Sequence, residues 1–181
     1  MSGASLRRLI HAATAAVTLL APLVSPTALR ATVVAIAVAA LAVDLARASL
    51  PRFDGWLQTR LPVFRPHETG HLSGATWLWV GYAVAAWLPV RAAVPAMLVG
   101  AWADPAASFV GERIGPPGRK TWAGTGTMWL VSSGILLTSG LGWGTALLGG
   151  VLGALVERWP GRLDDNLLVA PVVAAAIAVS A

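Results

Sequence analysis

The sequence predicts an all-α, polytopic transmembrane bundle of about seven short helices. Three observations lead there. Of 181 residues, 56% are hydrophobic and only 12% are charged. An average soluble domain carries about 25% charged residues, so these charges are too few to cover a water-facing surface. Apolar runs of nearly membrane-spanning length recur along the chain with short polar connections between them. The basic residues, which give a net charge of +5, fall almost entirely in alternate connections. So much apolar material excludes disorder. The absence of cysteine excludes a disulfide framework, a Cys-ligated zinc and a thiol nucleophile.

A spanning helix needs about 20 mostly apolar residues, with a range of roughly 17–25. The candidate spans are 9–25, 29–46, 71–89, 92–110, 124–140, 142–156 and 166–181, all within a single domain over 1–181. Several are short and rich in Ala, so six spans with one re-entrant segment is the alternative count. The first run follows Arg7 and Arg8 and ends near Ser25-Pro26-Thr27-Ala28, in the manner of a signal peptide. Pro26 is poorly placed for processing, and the charge balance works best with the segment retained. The longest polar stretches are 47–70, 111–123 and 157–165. Gly149 and Gly153 form a G-x-x-x-G packing face, and the nine Trp suit membrane interfaces and helix packing.

The charges orient the bundle. Arg7 and Arg8 at the N-terminus, Arg47, Arg52, Arg60 and Arg65 in 47–70, Arg113, Arg119 and Lys120 in 111–123, and Arg158 and Arg162 in 157–165 all fall on one side. Only Arg30 and Arg91 fall on the other. The positive-inside rule makes the first side cytoplasmic. All eight acids lie on or near that side, as do the three His residues. Chemistry is therefore expected at the cytoplasmic end.

Asp104 is the most informative residue, a carboxylate in an otherwise apolar span. Such an acid costs roughly 2.5–3.5 kcal/mol at a helix centre, so it signals function by default, although pairing with an Arg near the interface would also explain it. Asp104, Ser108 and Gly111 share one helical stripe, and Pro105 loosens the helix there. The following segment, Gly111 to Thr121, combines Gly111, Gly115 and Gly118 with Arg119 and Lys120. Backbone amides in such a turn can cradle phosphate oxygens, and Thr121 and Thr125 add hydroxyls, whereas a solvated connection has the same composition. It is not a Walker A loop, because Arg119 rather than Gly precedes Lys120. Glu157, Asp164, Asp165 and Asn166 supply oxygen ligands of the kind that hold Mg²⁺ beside substrate phosphates, and Asp165 and Asn166 also suit a helix N-cap. His67-Glu68-Thr69-Gly70-His71 matches the H-E-x-x-H zinc pattern, but Pro66 confines it to a helix start and no third ligand lies close in sequence. Arg7, Arg8 and His11 cluster on the first turns, and Asp44 and Arg47 can pair at the end of the second span.

The order of these motifs resembles the membrane-embedded, CTP-dependent lipid kinases, which include dolichol kinase, phytol kinase and the diacylglycerol/polyprenol kinases. Arg7-Arg8-Leu9-Ile10-His11 is similar to that family's opening R-K-x-x-H element, and Asp44 with Arg47 to its acid and Arg at the end of the second helix. Arg65-Pro66-His67-Glu68, with Ser73-Gly74-Ala75-Thr76 after it, is similar to its R-x-x-E element. Asp104, Ala107, Gly111, Gly115, Lys120, Thr121, Gly124 and Thr125 are similar to its core D-x-x-A and K-[ST]-x-x-G-[ST] signature. Glu157, Asp165, Asn166 and Pro171 are similar to its closing acid, D-N and Pro. Two positions depart from the pattern: Ala103 stands where Gly often precedes the core Asp, and Ala123 where Glu often precedes the signature Gly.

The resemblance implies a polytopic phosphotransferase that moves the γ-phosphoryl group of CTP to the hydroxyl of a polyprenol, dolichol, phytol or diacylglycerol at the cytoplasmic membrane face. In that reading Asp104 and Asp165, assisted by Glu157 or Glu68, hold Mg²⁺. Arg119, Lys120 and the Gly111–Gly118 turn hold phosphate, with Thr121, Gly124, Thr125 and Asn166 beside them. Glu68 is the candidate acceptor of the hydroxyl proton, and Arg7, Arg8, His11, Asp44, Arg47 and Arg65 are accessory. The competing classes are a phosphatidate cytidylyltransferase-like enzyme, whose K-D pair and H-G-G-x-D-R-x-D run are missing here, a non-enzymatic transporter that uses intramembrane Asp104, and a zinc protease.

Overall fold

The computed structural model describes residues 3–61, 63–64, 68, 71–116 and 119–180. Arg65, Pro66, His67, Thr69, Gly70, Pro117 and Gly118 lie outside the described residues, so the expectations placed on Arg65, on most of the H-E-x-x-H run and on the tip of the 111–118 turn are not addressed.

The N-terminal apolar run is not one span. It forms α1 (Gly3–Ala13), α2 (Ala15–Leu19) and a tighter turn at Ala21–Leu23. The Thr14 hydroxyl donates to the His11 carbonyl at 2.6 Å, and Pro22 lies within the 3₁₀ turn. Side-chain competition for the backbone and a missing amide interrupt the ladder that a continuous 9–25 helix needs. Next comes α3 (Pro26–Ser49), with Ser25 accepting from the Ala28 amide at 3.1 Å and Pro26 in the first turn. The expected polar connection 47–70 contains a further helix, α4 (Pro51–Arg60). Beyond it lies α5 (Gly74–Ala85), capped by Ser73.

A continuous helix then runs from Val90 to Ile114 in three parts: α6 (Val90–Leu98), a π turn (Val99–Ala103) and α7 (Asp104–Ile114). The remaining helices are α8 (Trp122–Thr138), α9 (Trp143–Arg158) and α10 (Asp165–Ser180). No strand occurs among the described residues. Two helices, Pro26–Ser49 and Val90–Ile114, are long and apolar enough to cross a membrane by length and composition, and Asp165–Ser180 is a shorter apolar helix. The 17 residues of α8 and 16 of α9 occupy the expected spans 124–140 and 142–156, but they reach only about 25 Å at 1.5 Å per residue.

Short connections fold α8, α9 and α10 back on one another, and α10 also packs on α5 and α6. Small residues fill the centre: Ala85, Ala92, Ala93, Ala96, Ala103, Ala146, Ala170 and Ala174 are fully buried. Several larger side chains of α3 and α9 face outward, as at Val38, Leu147, Leu148 and Leu155. Small residues allow backbones to approach closely. A Cβ at Gly81 of α5 would stand 2.8 Å from the carbonyl oxygens of Asn166 and Leu167 on α10, and one at Gly124 of α8 would stand 3.0 Å from the Ala107 carbonyl on α7.

The π turn has its own partner. Replacing α ladder with a π turn disturbs carbonyl pairing, and such turns are frequent at functional sites. The fully buried Tyr82 hydroxyl donates to the Met97 carbonyl at 2.8 Å and lies 3.1 Å from Thr14 Oγ1. Gly100 leaves room for the ring. Tyr82→Phe removes that hydrogen bond, which should lower stability by about 0.5–1.5 kcal/mol in denaturant unfolding of the purified protein. Unchanged stability would mean that the π turn needs no side-chain donor.

Candidate functional site

One end of the bundle brings together the N-termini of α5, α8 and α10 and the C-termini of α3, α7 and α9. Each helix N-terminus acts as roughly half a positive charge. A cavity of about 660 Å³ opens among them. It is lined by Asp104, Ser108, Gly111, Glu112, Arg119, Lys120, Thr121, Gly124, Thr125, Glu157, Asp165 and Asn166. Ala4, Ile10, Val63, Phe64, Leu78 and Trp79 add apolar surface, and Arg7, Arg8, His11, Glu68 and Ser73 also line the space. A second cavity of about 860 Å³, lined by Ala21, Pro22, Arg91, Ser139, Thr145 and Ser180 among others, lies at the opposite end and holds no carboxylate.

Three acids distant in sequence meet in the first cavity. Asp104, Glu157 and Asp165 each offer a carboxylate oxygen, and these oxygens lie within 4.8 Å of one another. Asp104 begins α7 directly after the π turn, Glu157 sits in the last turn of α9, and Asp165 opens α10. Lys120 stands between two of them, 2.9 Å from Glu157 Oε1 and hydrogen-bonded to Asp165 Oδ2 and to the Glu157 backbone carbonyl. Burial would pull its ammonium down, but the charges of Asp165 and Glu157 outweigh burial and hold it above the ordinary lysine value. His11 Nδ1 lies 3.7 Å from Asp104 Oδ2, which joins α1 to the group.

The other expected site residues divide into two sets. Gly111 is not in a turn. It is buried within α7, and a Cβ there would lie 3.2 Å from Thr121 Oγ1 and 3.8 Å from the Gly124 Cα. Gly111 and Gly124 therefore serve the contact of α7 with α8, where backbone cradling was expected. Gly115 ends α7, and its amide donates to the Gly111 carbonyl at 2.9 Å. The Thr121 hydroxyl caps α8 by accepting from the Gly124 amide at 3.0 Å. The Thr125 hydroxyl donates to the Thr121 carbonyl and accepts from Arg158 at 3.2 Å. Arg119 is exposed on the cavity rim and has no ion-pair partner among the described residues. At α10 the Asn166 amide donates to both Asp164 and Asp165 at 3.0 Å, and the Asn166 side chain donates to Asp164 at 2.8 Å. Burial first, and the Asp165 charge after it, raise the Asp164 carboxyl against the lowering effect of Asn166. His71 is exposed and precedes α5, so it is not on a helix.

A second network braces this end. Asp44 and Arg47 are buried and paired at 2.6 Å. Asp44 also accepts from the Ser73 amide (2.7 Å), the Ser73 hydroxyl (2.9 Å) and the Thr76 hydroxyl (2.6 Å). Arg47 reaches Asp54 of α4 at 2.9 Å and stacks over Phe64. This ties α3 and α4 to the start of α5, where the Gly74 amide donates to Glu68 at 3.2 Å. Arg8 pairs with Glu112, and Arg7 donates to the Val63 carbonyl at 3.4 Å, so α1 is held to α7 and to the 63–64 segment.

The sequence does not single out two participants. Arg158 reads there as a loop charge, yet it packs over Trp122 and Trp159 and fixes Thr125. Glu112 has no evident partner in the sequence, and the fold pairs it with Arg8. The signal for Arg158 was its place next to Glu157 and Trp159.

Removing one partner of a buried ion pair leaves the other charge uncompensated, at a cost of about 3–5 kcal/mol. Asp44→Ala is expected to destabilise the protein by that order in denaturant unfolding, and Asp44→Asn by less because the amide oxygen still accepts from Ser73 and Thr76. Equal stability of wild type and Asp44→Ala would remove Asp44 as the brace.

No protein-family model matches the chain, and neither a curated protein nor a solved structure matches it.

Proposed function

We propose that this protein is an integral-membrane lipid kinase that transfers the γ-phosphoryl group of a nucleotide, CTP by the resemblance of its motifs, to the hydroxyl of a polyprenol, phytol or diacylglycerol. The observation that carries the reading is one cavity lined by both charged and apolar side chains. Its lining includes three clustered carboxylates, Lys120, Arg119 and helix N-termini, which suit a polyphosphate with a divalent cation. The same lining includes Ile10, Phe64, Leu78 and Trp79, which suit an apolar chain. A polytopic bundle accommodates this in the bilayer. The interior of small residues, the outward Leu and Val side chains and the two long apolar helices support such a placement. The eleven-to-two basic asymmetry supports a cytoplasmic position for the site.

Three carboxylates with oxygens within 4.8 Å of one another suit Mg²⁺, which takes oxygen ligands at about 2.0–2.1 Å. Asp104, Glu157 and Asp165 would hold the ion, and its charge would offset that of the phosphates. Arg119 and the N-terminus of α8 face the same phosphates. In the transfer, the bond from the γ-phosphorus to the lipid oxygen forms and its bond to the β-phosphate bridging oxygen breaks, so nucleoside diphosphate leaves. The hydroxyl proton passes to a carboxylate. Glu68, buried and held by the Gly74 amide, fits that role. Phosphoryl transfer depends mainly on positioning and charge neutralisation.

The deciding experiment incubates purified protein with labelled CTP or ATP and a panel of lipid alcohols. The expected outcome is phosphorylation that requires Mg²⁺ or Mn²⁺ and stops with EDTA. Asp104→Asn and Lys120→Ala should each lower turnover by about 10²–10³, the usual worth of one well-placed electrostatic group. No labelled lipid with any alcohol, or variants that keep a third of wild-type rate, would reject the assignment. Reporter fusions after Ser49 and Gly161 should report cytoplasm, and a signal from the opposite side at either would place the cavity away from nucleotide.

A further inference from the structure

The Lys120 ammonium is held by two of the three carboxylates that could hold a divalent cation. It donates to Asp165 Oδ2, lies 2.9 Å from Glu157 Oε1 and donates to the Glu157 backbone carbonyl. Two of the three carboxylates within 4.8 Å of one another are therefore already neutralised by an internal cation. A small dication that demands near-octahedral oxygens at about 2.0–2.1 Å cannot take the same oxygens while the ammonium remains on them. Two cations at that separation also repel strongly in a partly buried site. The lysine has somewhere else to go. It lies immediately before the cap of α8, whose N-terminus opens on the same cavity, and beside Arg119 on the rim.

We propose that Lys120 is a resident stand-in for the divalent cation, exchanged for the metal when a polyphosphate arrives. Without nucleotide its ammonium holds the Glu157 and Asp165 carboxylates. A polyphosphate at the α8 N-terminus draws the ammonium to itself, and the vacated oxygens accept the metal. The proposal rests on the metal and phosphate reading of this cavity. It adds that metal alone binds poorly and that metal and polyphosphate strengthen each other, a coupling that must be reciprocal. A purely structural Lys120, which only caps the last carbonyls of α9, makes a different forecast. Its loss would weaken the fold and leave metal affinity the same or lower.

The test titrates Mn²⁺ into the purified full-length protein without nucleotide and follows free Mn²⁺ by electron paramagnetic resonance. Lys120→Gln is expected to bind at least about ten-fold tighter than wild type. Lys120→Arg, which keeps a cation at the carboxylates, is expected not to tighten. Glu157→Gln added to Lys120→Gln should abolish the gain. Circular dichroism and thermal unfolding establish that each variant is folded, and Lys120→Met replaces Lys120→Gln if the latter is not. Wild type binding Mn²⁺ as tightly as the neutral variant overturns the exchange alone and leaves the kinase reading standing. Failure of every variant to bind Mn²⁺ overturns the metal site itself, and with it the exchange.

Discussion

Contact of backbone with backbone is the constraint on which the structure depends. Where α5 meets α10 at Gly81, and where α7 meets α8 at Gly111 and Gly124, no side chain separates the helices. The first contact brings Gly74, and with it Glu68, alongside Asn166. The second holds the Asp104-bearing helix against the one that Lys120 precedes. Asp104, Glu157 and Asp165 are each delivered by a different helix, so their places follow from helix spacing, and spacing here is set by the absence of Cβ atoms. Dispersion forces and close approach are the main adhesives of helices in an apolar surround, and the buried alanines continue the same principle through the centre.

Acidic charge is then gathered at one end. The carboxylates there are costly in an apolar protein, and each has a specific compensation. Asp44 has Arg47 and the start of α5, Glu157 and Asp165 have Lys120, and Asp164 has the first turn of α10. Arg8 compensates Glu112, which also accepts from Ser108 at 3.2 Å. The opposite end offers mainly Arg30, which donates to the Ala86 carbonyl at 2.9 Å beside Trp87, and its cavity has no acid. The two ends of one bundle thus differ in kind: one is anchored and the other chemically furnished.

Much of this was legible in the sequence. Apolar run lengths placed α3 and the helices from α5 to α10 to within a few residues, because burial and backbone pairing leave a long apolar segment few alternatives. The pattern of basic residues put Asp104, Glu157 and Asp165 at one end, although their mutual distance is a tertiary fact. The short-range exceptions were hidden. Thr14 divides the first run through a hydroxyl that competes for the His11 carbonyl, which a hydropathy window cannot register. α4 lacked the apolar content that marks the other helices, and Gly111 carried a glycine's two meanings, a turn and a close contact, until its neighbour across the interface was known. Asp164 joins Asp165 at the cap, because the residue preceding the helix also reaches the Asn166 amide.

The π turn at Val99–Ala103 has a consequence for how this helix can change over time. A π turn amounts to one residue inserted into an α-helix, and one residue is worth about 100° of rotation. The two halves of Val90–Ile114 are therefore out of phase, and both depend on the offset. Met97 and Ala96 face the centre before it, and Asp104, Ser108 and Gly111 face the cavity after it. Deleting one residue from the turn would restore a regular, intrinsically better helix while swinging one half away from its neighbours. The segment can accept substitutions of similar size but not a change of length, so local helical regularity has been exchanged for a fixed angular register between core and cavity.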